Sequence, residues 1–368
     1  MGSRDDLTIL VINPGSTSTK LALFRGETVA VSENVDHSRE EWAVRLKTVQ
    51  QLEHRVRVVE DFLRRHGVTA RELSCIVARG GLLRPVKSGA YTVNRAMVED
   101  LRAEIGGSHA SNLGGLIAWA LTGGDDAEGP RLPALIVDPV AVDEYSPEAR
   151  VSGLPGLPRR SLLHALNMKA CARRAAKDLG APLQELFLVI AHLGSGFSIS
   201  PCYRGRLSDA NNSNEEGPFT VERSGTLPAL RLLELARKSG DAAKLRSVLT
   251  AEAGMYGYTG TKDARKVEED ARQDGSIAGI YRAMAYQVAK EVCAMAASYP
   301  EKPDAVVITG GLAKSTSFVG MIEEYTSFLG QHLVYPGEDE MEALALGAYR
   351  VLTGEEIPRE YPEREVAG

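Results

Sequence analysis

The chain has 368 residues, 43% apolar and 25% charged, with 43 Lys and Arg against 49 Asp and Glu, a formal balance of −6. An apolar share of that size excludes disorder along the whole chain, and the length suits two domains. The mild acidity, spread without long like-charge runs, argues against a protein that holds nucleic acid on a basic face.

Residues 7–12 form an apolar run ending in the turn Asn13-Pro14-Gly15-Ser16, and residues 19–24 read as a second strand, so the opening is a predicted β-hairpin. Trp42, Leu46, Val49, Leu52, Val56, Val59 and Phe62 recur at spacings of three or four. That spacing predicts one helix over 41–66, with Ser38 and Glu41 as a capping box and Gly67 past its end. Strands follow at 74–78 and 134–138, with a helical pattern over 111–121 between them. The second half runs through a helix at 163–179 closed by Gly180, a strand at 186–192, the turn Gly194-Ser195-Gly196, and a strand at 197–200. Helices at 227–238 and 277–298 lead to a buried strand at 305–309 that ends in Gly310-Gly311. A strand at 332–335 and a helix at 340–352 complete the pattern.

The alternation predicts an α/β fold. The strand–Gly/Ser turn–strand unit occurs at Gly15 and again at Gly194, which predicts two similar domains around a cleft. The chain is expected to cross between them in the Pro/Gly-rich stretch 151–158. Cys75, Cys171, Cys202 and Cys293 have no metal-binding or disulfide spacing and read as reduced thiols. Residues 1–6 are polar, with no apolar leader, and no run reaches the roughly 20 apolar residues of a membrane span. A cytoplasmic protein with neither membrane nor nucleic-acid partners is expected.

Glycine is the compositional outlier, at 36 residues, and its pairs mark turns where backbone approaches something closely. In Asn13-Pro14-Gly15-Ser16-Thr17-Ser18-Thr19-Lys20 a glycine, four hydroxyls and a lysine supply the parts of a phosphate clamp. The competing reading is a polar hairpin turn with an exposed lysine. His192-Leu193-Gly194-Ser195-Gly196 repeats the arrangement, so two turns could grip one polyphosphate. Asp138 and Asp209 lie near strand ends, where Mg²⁺-nucleotides meet one or two carboxylates. Arg79, Arg159, Arg160 and Arg223 lie beside or near Gly-rich turns and suit carboxylate or phosphate. His109, His164 and His192 also lie beside turns or helix starts, while His37, His54, His66 and His332 read as charged or exposed surface. HExxH and GxSxG are absent.

The segments 9–20, Arg79-Gly80-Gly81-Leu82-Leu83, His109-Ala110-Ser111-Asn112-Leu113-Gly114 and Val137-Asp138-Pro139-Val140 resemble those of butyrate kinases. So do the segment 159–167, Gly217-Pro218-Phe219-Thr220, Glu222-Arg223-Ser224-Gly225-Thr226-Leu227-Pro228, the segment 281–287, Gly310-Gly311-Leu312-Ala313 and Ala343-Leu344-Ala345-Leu346. These enzymes belong to the acetate and propionate kinase family, within the actin, heat-shock chaperone and sugar kinase superfamily. The resemblance implies two duplicated ribonuclease-H-like domains, each a mixed five-stranded sheet with flanking helices, around a nucleotide cleft. It places the acceptor-side domain at 1–155 plus 340–368 and the nucleotide domain at 156–339. It further implies reversible, Mg²⁺-dependent phosphoryl transfer between ATP and a short or branched-chain fatty acid, giving an acyl phosphate and ADP, by a homo-oligomer.

Carried over by position, Arg79, His164, Arg223 and Asp138 take catalytic roles. Asn13, Ser16, Ser18, Lys20, His109, His192, Gly194, Ser195, Gly196, Gly310 and Gly311 bind nucleotide. Asp138 and Glu340 hold Mg²⁺, partly through water. Two departures from the family pattern stand out: the acidic segment 212–216 and Ser195 in place of asparagine or glycine. The competing functions are an acetate or propionate kinase and, from another class, a nucleotide-driven chaperone or scaffold.

Overall fold

Thr8–Pro14 (β1) is rich in β-branched residues and buried along its whole length, as the middle strand of a sheet must be. In the computed structural model, which describes residues 7–124 and 132–363, β1 pairs antiparallel with Ser18–Arg25 (β2) to form the predicted hairpin. The polar start at 1–6 lies outside the described residues. Thr28–Asp36 (β3) extends the hairpin into a meander. Its alternating, half-exposed residues hide it from a search for apolar runs. Cys75–Arg79 (β4) and Ala134–Val137 (β6) add parallel strands beside β1, and Ala90–Thr92 (β5) runs antiparallel to β6.

The second sheet is built from Phe187–Leu193 (β7), Phe197–Tyr203 (β8), Arg206–Leu207 (β9), Ala305–Gly310 (β10) and His332–Pro336 (β11). Its order, β11-β10-β7-β8-β9, is that of β6-β4-β1-β2-β3 in the first sheet. Each pair also has the same parallel or antiparallel sense. The two mixed sheets with flanking helices make the fold α/β and internally duplicated. The first sheet nevertheless has seven strands rather than five, because β5 and a late strand, Arg359–Glu360 (β12), extend its edge.

The chain separates into two compact units, Met1–Val142 with Asp339–Gly368, and Asp143–Glu338. The first break precedes the Pro/Gly-rich stretch 151–158 because residues 143–150 already hold to the second unit. There Ser146 N–H donates to Ser208 O at 2.8 Å, and the Tyr145 hydroxyl donates to Ala210 O.

Within the first unit, Leu10, Ile12, Leu21 and Leu23 join Val59, Phe62, Leu113 and Ile117 in one core. The helix Glu340–Leu352 packs on β1, β4 and β6. Gly347 permits its close approach, since a Cβ there would lie 2.7 Å from Val137. In the second unit Val189, Ala191 and Leu193 pack in a core with Met284, Val288 and Val292 of the helix Gly275–Ala296.

The single helix predicted over 41–66 is in fact two, Glu41–Arg45 and Leu52–Arg65, joined by a 3₁₀ turn at Thr48–Gln51. Leu46 and Lys47 are extended, and the Gln51 amide donates to the carbonyls of Ala43 and Leu46 at 3.3 and 3.1 Å. The Ser38–Glu41 capping box does not form. Ser38 instead donates from both its N–H and its hydroxyl to Asp36, and Glu40 occupies the cap. Gly67, at φ +65°, closes the second helix as expected.

Among the described residues no helix is long and apolar enough to cross a membrane. All four cysteines are free thiols, and burial pushes Cys75 up to about 12 and Cys202 to about 11.

Candidate functional site

In the first unit the charged groups gather at the carboxyl ends of the parallel strands, where open α/β sheets take their ligands. Asn13 lies one residue before the end of β1, Arg79 ends β4 and Asp138 follows β6. Arg79 Nη1 donates to Glu340 Oε2 at 3.0 Å and lies 2.9 Å from Oε1 in an ion pair, and Asn13 Nδ2 donates to Glu340 Oε2 at 2.7 Å. Three residues far apart in sequence thus meet because the last helix begins at Glu340, against the ends of β1 and β4.

Asp138 is 1% exposed and adopts φ +40°. Its Oδ1 accepts from Gly89 N–H at 2.7 Å, and its own N–H donates to Gly89 O at 3.0 Å. His109 bonds Ser111 Oγ through Nδ1 at 2.7 Å. Desolvation, and then the positive charge of Arg79, hold the His109 imidazole below its usual range. Ser16 and Lys20 are exposed and Ser18 is half-buried, with Lys20 opposite Asn13 in the hairpin register.

The second unit repeats the placement. His192 lies at the end of β7, Gly310 ends β10, and Glu338 follows β11. His192 Nδ1 donates to Asn167 Oδ1 at 2.8 Å, and its ring stacks on His164 with centroids 4.0 Å apart. His192 Nε2 lies 3.1 Å from Glu338 Oε1 but off the direction of a hydrogen bond, so this buried nitrogen has no hydrogen-bond partner. His164 in turn meets Ser198 Oγ at 2.9 Å through Nδ1.

Gly194-Ser195-Gly196 joins β7 to β8, and Thr220 Oγ1 donates to Ser195 O at 2.8 Å. A Cβ on Gly196 would lie 2.6 Å from Arg223 Nη1, so the guanidinium rests directly on the turn. Arg223 Nη1 donates to Ser213 Oγ and Asn214 Oδ1 at 2.6 and 2.8 Å, while its Nε is buried without a partner. Burial pushes this guanidinium below its usual value, against the opposing charge of Glu222. Gly194, Ser195, Gly311, Lys262 and Glu338 line a cavity of about 240 Å³.

Arg159 and Asp209, both candidates from sequence, satisfy one another at 2.8 Å, and Arg159 also holds Glu216 at 2.9 Å. That pairing gives the acidic segment 212–216 a structural task. Arg160 is exposed.

Sequence reasoning missed Glu338, Asn167, Arg55 and His37. Arg55 was legible as a charge inside the apolar stripe of Leu52, Val56, Val59 and Phe62. His37 corrects the expectation of exposed surface, being 2% exposed beneath the first glycine turn. The Thr19 hydroxyl accepts from Arg55 at 2.7 Å and meets His37 Nε2 at 2.9 Å. Burial, then the charge of Arg55, lowers His37 to about 4. A folded imidazole that resists protonation stabilises the fold fully above the unfolded value near 6.5, and that stability is lost as pH falls toward 4. The loss over that window is about 3 kcal/mol. Urea midpoints taken from pH 7.5 to 4 are expected to fall less steeply in His37→Gln than in the parent, and parallel curves would contradict the assignment.

Two sheets that share a five-strand order, each with a glycine turn and polar groups at the ends of its parallel strands, have the fold of the acetate and propionate kinases. The structure matches the crystal structure of Porphyromonas gingivalis acetate kinase with a TM-score of 0.74 at 18% identity, covering 94% of this chain and 100% of that one. A propionate kinase from Francisella tularensis subsp. tularensis SCHU S4 matches at 0.72 and 19% identity, covering 92% of this chain and 98% of that one. Acetate kinase from Entamoeba histolytica matches at 0.71 and 13%, with coverage of 92% and 98%. At these identities the likeness is one of fold. In sequence, residues 156–332 match the model of the acetokinase family.

Proposed function

We propose that this chain is a carboxylate kinase of the acetokinase family, moving the γ-phosphoryl group of ATP reversibly to a short-chain acid to give an acyl phosphate and ADP. The observation that carries this reading is Arg223. It is a largely buried cation on a Gly-Ser-Gly turn, bonded only to neutral groups and with Nε unpartnered. A guanidinium so placed is prepared for an anion. The match of residues 156–332 supports the same class.

A carboxylic acid is ionised at neutral pH, with a pKa near 4, so the acceptor needs no general base. The difficulty is bringing one anion up to another. Arg79 and Arg223 offset that repulsion, Lys20 neutralises phosphate charge, and His164 donates to a phosphoryl oxygen. Gly194, Ser195, Gly196, Gly310, Gly311 and His192 hold the nucleotide, and Asn13, Ser16, Ser18 and His109 complete the phosphate contacts.

Mg²⁺ usually takes one or two protein carboxylates beside nucleotide phosphates and water. Glu340 fits that part, being 15% exposed, with Asp138 acting through water. When bound, the ion supplies charge neutralisation of the polyphosphate. Positioning and electrostatics carry most of the rate in this chemistry.

The acetate and propionate kinases that share the fold favour a two- or three-carbon acceptor, and the sequence motifs favour a four-carbon or branched one. Homo-oligomeric assembly and a cytoplasmic site of action belong to the same proposal. With ATP and Mg²⁺, acid-dependent acyl phosphate trapped as hydroxamate is expected within the series from two to six carbons. The best acid decides the acceptor. ATP turnover that ignores every acid would instead favour the chaperone or scaffold reading and would sink the kinase.

A further inference from the structure

Arg55 heads the large side chains that are fully buried, at 0% exposed, yet all its partners are neutral. Nη1 donates to Ser18 O at 2.8 Å and Thr19 Oγ1 at 2.7 Å, and Nη2 donates to Gly15 O at 3.1 Å and Ser16 O at 3.2 Å. Nε and Nη2 also reach Gln51 Oε1, at 3.3 and 3.0 Å. Burial lowers the guanidinium to about 10, so it is still charged at neutral pH. A buried charge without a counter-charge is costly, and here backbone carbonyl dipoles from one turn compensate it.

Those carbonyls have a consequence on the other side of the turn. A peptide group is planar and trans, so each carbonyl points opposite to the N–H of the next residue. With the carbonyls of Gly15 and Ser16 drawn down onto Arg55, the N–H groups of Ser16 and Thr17 face outward. The backbone bonds of the turn use Gly15 N–H, donating to Ser18 O, and Thr17 O, accepting from His37 N–H. Neither outward N–H is spent. Two successive free N–H groups above a buried cation make a concavity for an anion.

We propose that Arg55 is a positioning residue that aims the Ser16 and Thr17 N–H groups at a phosphoryl oxygen and lends the turn its charge without touching the ligand. Its kinetic consequence rests on the kinase reading above, whereas its effect on phosphate binding does not.

The test compares the parent with Arg55→Lys and Arg55→Met in two assays: pyrophosphate binding by calorimetry, and steady-state kinetics with ATP and the best acid. Lysine keeps the charge but cannot span the carbonyls. It is expected to lower kcat by about 10²-fold, since each misaimed donor weakens transition-state contact. It should weaken pyrophosphate about tenfold while leaving the KM for ATP within about threefold. Arg55→Met should lose more in both assays. If it fails to fold, Arg55→Lys alone decides.

A role confined to stability would reduce the folded fraction and scale kcat with it, while the folded protein bound pyrophosphate as the parent does. That result, or a parent that binds no pyrophosphate, overturns the proposal. A parent that makes no acyl phosphate, but whose pyrophosphate affinity falls in both variants, would refute the kinase reading and leave Arg55 standing.

Discussion

Arg223→Ala is expected to lower acyl phosphate turnover by about 10³-fold or more, the range a single phosphoryl-facing arginine contributes, while ATP affinity stays within about threefold of the parent. The split follows from where the side chain lies. Its guanidinium covers Gly196 and is tethered by Ser213 and Asn214, whereas the walls of the neighbouring cavity come from Gly194, Gly311, Leu312 and Lys262. In the proposed mechanism, truncation removes charge from beside the transferring group and leaves those walls intact. Arg223→Lys should recover part of the loss, because it restores charge without the planar fork. The readouts are kcat by hydroxamate trapping and ATP affinity by calorimetry, and a turnover within tenfold of the parent would remove Arg223 from the mechanism.

Gly310→Ala should be among the most damaging single methyl additions in the second unit. Gly310 sits at φ +94°, and a Cβ there would lie 2.6 Å from the backbone N, C and O of Leu193. Backbone of a central strand cannot move aside as a side-chain tip can, so β7 and β10 would have to part. A loss of more than about 3 kcal/mol is expected, above the usual range for one substitution. The Gly194 turn, directly after Leu193 and proposed to hold nucleotide, should be disturbed with it. Gly311→Ala is the internal control, since a Cβ there meets nothing within 4 Å. Its stability should stay within about 0.5 kcal/mol of the parent. Urea midpoints and ATP affinities of the two variants test the contrast, and equal behaviour would show that contact with Leu193 is not what requires a glycine.

Much of the fold was legible because its central strands carry strong local signals. β1, β7 and β10 are unbroken apolar runs ended by glycine turns, and both hairpins were predicted from them. β3 and β9 were not, because an edge strand exposed on one side needs no apolar run. The spacing over 41–66 predicts one continuous helix because the apolar stripe persists through Leu46 and Lys47, where the chain is extended. Spacing reports which face is buried, and it does not report whether the hydrogen-bond ladder is intact. The same stripe contains Arg55, whose carbonyl partners Gly15, Ser16 and Ser18 lie far off in the chain and leave no pattern in sequence.

The candidate residues divide in the same way. Residue type and local turn chemistry, by themselves, located both glycine turns, the Gly310-Gly311 bend and Arg223, and at Gly194, Gly196 and Gly310 a Cβ would meet a neighbour within 2.7 Å. Only the tertiary structure decided who meets whom. Asn13, Arg79 and Glu340 converge because parallel strands β1 and β4 end side by side and the last helix returns to start there. Glu338 approaches Nε2 of His192 because β7 and β11 flank β10, and His164, capping the helix Ala165–Leu179, stacks on the same ring. Local propensity acts over a few residues, whereas these contacts join positions from tens to hundreds of residues apart, set by strand order and by where the helices begin.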